Sequence, residues 1–148
     1  MRERVERVPV ESLHSHPELT PPHDAVLDYL LECALQGNVP VYFAAIPLGL
    51  IKPFSDLYDP RRHPIGRQAI ASIQEHWKNQ EFKNMLVYPR KDVFIMSDDY
   101  ITYYACLEGK PEYVPCWVLG LCTTPDARDV QGPIRKEDLR KVLLGSDE

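Results

Sequence analysis

No run in the 148-residue sequence approaches the ~18 consecutive apolar residues of a membrane span, so no transmembrane helix is expected. Met1 to Arg7 is charged and lacks the apolar core of a secretory signal, which makes the cytoplasm the expected location. Basic residues are in deficit: 17 Lys and Arg against 22 Asp and Glu give a net charge of −5 and a pI near 5.5. The electropositive footprint of a protein held by phosphates is missing, and nucleic acid is not the expected partner. The four cysteines, Cys33, Cys106, Cys116 and Cys122, form no CxxC pair and have no histidine at ligand spacing, so buried free thiols are expected. There is no Gly-rich phosphate loop, no GxSxG elbow and no HExxH zinc motif.

A composition that is 44% hydrophobic, at this length, buries a core without a disulfide or metal staple, and one domain is the expectation. The 14 prolines fall between periodic apolar segments and read as loop punctuation. Arg7 to Leu13 alternates like a short strand, followed by a loop holding His14, His16 and His23. From Asp24 the apolar spacing turns helical, with Val26, Leu27, Leu30, Leu31 and Leu35 on one face, Asp24 as N-cap and Gly37-Asn38 as the stop. Val39 to Ile46 reads as a buried strand, and 47–64 as a long irregular connection. A helix is predicted over 64–79, with Ala69, Ile70, Ile73 and Trp77 on one face. Met85 to Tyr88 and Val93 to Met96 follow as an antiparallel hairpin joined by residues 89–92. One of Ser97, Asp98 and Asp99 is expected to cap a third helix that stops at Gly109, before a strand over Val114–Leu119 and an amphipathic helix over Ile134–Leu144.

The order and local text of these segments resemble the ParB/sulfiredoxin superfamily. The likeness rests on Val8 to Leu13 as the opening strand and Ile70 to Trp77 as the helix before the hairpin. It continues through Asn84 to Pro89, Val93 to Met96, the helix ending near Gly109 and the returning strand Val114 to Gly120. About half the chain is covered. The resemblance implies an α/β (α+β) fold with a mixed sheet and packed helices, in which 24–63, without a counterpart in the family's minimal pattern, is an insertion. Such a family grips a nucleotide phosphate at the strand-to-helix junction with a glycine, a histidine and an arginine, sometimes with a thiolate. Here the junction reads Ser97-Asp98-Asp99-Tyr100-Ile101-Thr102, without the glycine that admits a close phosphate or the guanidinium that clamps it. Cys106 lies too far into the helix to act as the nucleophile.

Several groups remain as candidate sites. Arg61, Arg62, His63 and Arg67 gather before and on the first turn of the second helix, a pattern suited to phosphate, although charges in loops are usually solvated or paired with acids such as Asp56 or Asp59. Asp98 and Asp99 are candidate Mg²⁺ ligands, with helix capping as the plainer reading. His14 and His16 suggest two metal ligands without an obvious third. Tyr100, Tyr103 and Tyr104 are dense enough to line a groove, with core packing and ordinary surface exposure as the plainer reading. The functional expectation is a catalytically degenerate, cofactor-free module that regulates or binds a protein partner. The alternative is a nucleotide-binding enzyme or switch in which the cations hold phosphate and the aspartates hold Mg²⁺.

Overall fold

The computed structural model describes residues 20–79, 84–122 and 124–144. The expected opening strand and the His14/His16 pair lie outside them. Within the described residues the chain forms a mixed α/β fold around a six-stranded sheet: β1 (Val41–Pro47), β2 (Ile51–Pro53), β3 (Met85–Arg90), β4 (Val93–Met96), β5 (Tyr113–Leu119) and β6 (Arg128–Gln131), in spatial order β2-β4-β3-β5-β1-β6. The β2/β4 and β3/β5 pairs are parallel and the others antiparallel. The helices are α1 (Ala25–Leu35), α2 (Pro64–Lys78), α3 (Tyr100–Gly109) and α4 (Leu139–Leu144). Among the described residues, no helix is long and apolar enough to cross a membrane.

Because side chains alternate along a strand, each strand's sequence divides between two apolar faces. Ala44 and Ile46 of β1, Met85 and Val87 of β3, Phe94 and Met96 of β4, and Val114, Cys116 and Val118 of β5 join α2 and α3 in one cluster. Val41, Tyr88, Ile95 and Leu119 point the other way and meet Leu27 and Ala34 of α1 and Leu139 of α4. Strands covered on both faces read as continuous apolar runs, as Val93 to Met96 does. The segment 24–63, expected to be an insertion, supplies α1, an internal strand and an edge strand.

The expected helix starts and stops are largely present. Asp24 caps α1 by accepting from the N–H groups of Val26 (2.9 Å) and Leu27 (3.3 Å), and its second carboxylate oxygen accepts the Tyr88 hydroxyl at 2.7 Å. Gly37, at φ +86°, follows the end of the helix as the sequence indicates. The hairpin is tighter than expected: β3 runs on to Arg90, leaving a two-residue turn with Lys91 in the left-handed region at φ +57°.

α3 ends at Gly109 as expected, and the left-handed cap falls on the next residue, Lys110 (φ +53°), whose N–H donates to the Cys106 carbonyl. The C-terminal helix begins later than Ile134, because the Ile134 N–H is drawn to the Val41 carbonyl at 2.7 Å; a 3-10 turn over Lys136–Asp138 leads into α4. The strands β2 and β6 are additional to the expected elements, since Lys-Pro and Arg-Asp text carries no strand signal.

Close packing is most severe at Gly66 in the first turn of α2, where an added Cβ would overlap the Pro60 carbonyl. Gly66→Ala is expected to cost more than about 2 kcal/mol, measured as a lower urea midpoint. Asp24→Ala removes a cap and strands a buried hydroxyl, for a loss of about 2 kcal/mol. Tyr88→Phe leaves the cap in place and is expected to lose about 1 kcal/mol in the same assay.

Candidate functional site

Residues 54–62 form a strap across the flank of α3. Four contacts fasten it. The Ser55 N–H donates to the Tyr100 hydroxyl at 3.1 Å, and the Tyr58 ring meets Tyr100 edge-on at 4.7 Å between centroids. The Tyr104 hydroxyl donates to the Tyr58 carbonyl at 3.4 Å, and the Arg61 guanidinium lies 4.4 Å over the Tyr104 ring. Tyr103 packs edge-on against Tyr104 at 5.2 Å. Tyr100, Tyr103 and Tyr104 are therefore buried members of the core cluster and do not line an open groove. Burial raises the hydroxyl pKa of all three, and it pushes Tyr58 up to about 12. They serve as neutral hydrogen-bonding surfaces at any physiological pH.

The cation cluster assembles near the first turn of α2, but its groups are turned on one another. Arg61 donates through Nε and Nη2 to the two Asp59 carboxylate oxygens at 2.9 and 2.8 Å, a bidentate fork. Asp59 Oδ1 also accepts the Arg61 backbone N–H at 3.0 Å. Arg67 donates to the Arg61 carbonyl at 2.8 Å, and His63 Nδ1 accepts from the Ile65 N–H at 3.1 Å, so His63 caps α2 itself. Arg62 is exposed. Of the two acidic partners the sequence offered, Asp59 takes Arg61.

The Ser97-Asp98-Asp99 turn precedes α3. Asp99 occupies the N-cap position, yet its side chain makes no capping bond. The carboxylate is buried and accepts from the Leu86 N–H on β3 at 3.0 Å, a correction to the expected capping role. Asp98 is exposed. Ser97 Oγ and Thr102 Oγ1 are buried and have no hydrogen-bond partner among the described residues. No group of three His, Cys, Asp or Glu side chains placed to hold a metal occurs among them either. The turn and the cations flank one helix at different heights: Tyr100, which bonds the strap at Ser55, opens α3, whereas Arg61 stacks one turn on at Tyr104.

All four cysteines are free thiols, but only Cys106 and Cys116 are buried, whereas Cys33 and Cys122 are half-buried; desolvation pushes the Cys106 thiol up to about 12. A thiol so placed is no nucleophile at neutral pH. The loop residue His23 pairs with Asp28 at 3.1 Å on an exposed surface.

Neither the family models, the curated proteins nor the solved structures contain a match to this chain.

The Asp59–Arg61 fork carries a pH signature. Hydrogen bonding from the Arg61 side chain lowers the Asp59 pKa below its ordinary value. The pair's stabilisation is thus present above the unfolded-state carboxylate pKa and is lost as pH falls through the lowered folded value. With the Arg61 side chain 43% exposed, screening limits the effect to no more than about 1 kcal/mol. Asp59→Asn, which keeps a cap oxygen, is expected to be less stable than the parent at neutral pH. The difference should shrink as the pH falls below the ordinary carboxylate range, read from urea midpoints across the pH series.

Proposed function

We propose that this chain is a catalytically degenerate ParB-like domain that acts as a regulatory or protein-interaction module. The reading is supported chiefly by how the candidate phosphate ligands are spent. Arg61 is forked on Asp59, Arg67 is bonded to the Arg61 carbonyl, and His63 caps its own helix. A phosphate would have to break these bonds before gaining its own, and one placed at the strand-to-helix junction would instead meet the exposed acid Asp98, where the family it resembles offers glycine and arginine. The strap meanwhile presents apolar surface to solvent at Phe54, 36% exposed, and Leu57, 86% exposed, a composition that suits a protein partner.

A second reading, a nucleotide-binding enzyme or switch with a rebuilt phosphate and Mg²⁺ site, draws on one observation. The first turn of α3 lacks a side-chain cap, and two buried hydroxyls beside it, Ser97 Oγ and Thr102 Oγ1, are unsatisfied among the described residues.

Titration with ATP and with CTP in the presence of Mg²⁺, followed by isothermal calorimetry and thermal shift, separates the two. The interaction-module reading expects no saturable heat and no rise in melting temperature. Saturable stabilisation that disappears in Ser97→Ala or Thr102→Val would overturn it in favour of the nucleotide reading.

A further inference from the structure

A cavity of about 410 Å³ lies between the β3–β4 turn and the loop after β5, and no strap residue lines it. Its apolar part comes from Leu50, Pro89 and Phe94, with Leu121, 61% exposed, at the mouth. Three charged residues share the lining: Lys91 and Asp92 from the turn and Asp126 from the loop. The side chains of all three lack a hydrogen bond or ion pair among the described residues. One positive and two negative charges leave the lining at −1.

Backbone geometry positions Lys91 on one side of the cavity and the start of the loop at Gly120 on the other. Lys91 holds the left-handed conformation that closes the two-residue turn. Gly120, at φ +131°, brings the loop so close to Pro89 that an added Cβ would lie 3.1 Å from the proline ring. Beyond it, Cys122 and Ala127 pack on the core, and the Asp126 N–H donates to Thr124 Oγ1 at 3.3 Å. The described backbone thus places both acidic residues at one cavity.

We propose that this cavity receives an arginine side chain of a partner polypeptide, with an acidic residue beside that arginine meeting Lys91. The inference rests on the reading of the chain as a protein-interaction module and names the anchor of its partner. Charge complementarity carries it. Two unpaired carboxylates around one space favour a single cation between them, and a planar guanidinium can donate to both at once. The apolar lining suits the methylene stem, which arginine buries while its head stays polar. Lys91, on the same cavity, would oppose an isolated cation and so selects a partner that brings a carboxylate as well.

The experiment is a titration of the full chain, ¹⁵N-labelled, with the blocked peptide acetyl-Gly-Ser-Arg-Glu-Ser-Gly-amide. Two analogues accompany it, one with neutral citrulline in place of arginine and one with glutamine in place of glutamate. Saturating shifts are expected at the amides of Phe94, Leu121 and Asp126, with a dissociation constant on the order of 1 mM, the strength one anchored side chain gives. The citrulline analogue, and the parent peptide against Asp92→Asn or Asp126→Asn, should bind about tenfold more weakly. Lys91→Ala should bind the glutamate and glutamine peptides equally. These substitutions are at exposed positions, and an unchanged starting spectrum verifies the fold.

Absence of saturating shifts, shifts centred away from this cavity, or equal binding of the citrulline peptide overturns the assignment. The nucleotide titration fails or succeeds separately. Nucleotide binding would defeat the interaction-module reading whatever the peptide does, and a peptide that does not bind defeats only the assignment of this cavity.

Discussion

One carboxylate, that of Asp24, joins two layers of this protein. Its first oxygen satisfies the free N–H groups at the start of α1, and its second accepts the hydroxyl of Tyr88 from inside the sheet. A buried acid with several donors is stable where an unpaired one is not, so the helix is held at one point over β3. That anchor sets α1 on the sheet face where Leu27 and Ala34 meet Val41 and Leu119. The opposite face is left to α2 and α3, and every internal strand is covered on both sides.

Covering both faces has a direct consequence for the candidate site. α3 is buried from Tyr100 through Cys106, so its tyrosines cannot form a free surface and instead hold the strap. Arg61 then becomes part of that fastening, between the Asp59 carboxylate and the Tyr104 ring. A charge cluster that looked available in the chain is mostly consumed as local structure. Asp99 follows the same pattern: it sits at the helix start, but its carboxylate is more useful to the Leu86 N–H, a donor that burial would otherwise penalise.

A polar surface with uncommitted charge lies elsewhere, where Lys91, Asp92 and Asp126 line the cavity between the hairpin turn and the loop after β5. The three residues are 35 positions apart at their extremes, and only the parallel pairing of β3 with β5 brings the loop and the turn together. The strap and this cavity are thus distinct surfaces. One is fastened by internal hydrogen bonds and aromatic contacts, and the other keeps its charged groups unsatisfied among the described residues.

Much of the local structure was legible in the chain because it depends on neighbours in sequence. The spacing of Leu27, Leu30, Leu31 and Leu35, the cap at Asp24 and the glycine at 37 define α1, and Ala69, Ile70 and Ile73 define the buried face of α2. The hairpin follows from two apolar runs separated by a short polar turn. Short-range periodicity carries this information because helices and hairpins satisfy their backbone within a few residues. The edge strands β2 and β6 were hidden, since Lys52-Pro53 and Arg128-Asp129 are dictated by exposure at a sheet edge and by partners far along the chain. Tertiary structure alone decided that Arg61 would stack on Tyr104, that Asp99 would serve a strand and not its own helix, and that three unpaired charges would share a cavity. Those outcomes depend on distances between residues remote in sequence, and a charge in a one-dimensional text carries no record of what will lie within ~4 Å of it.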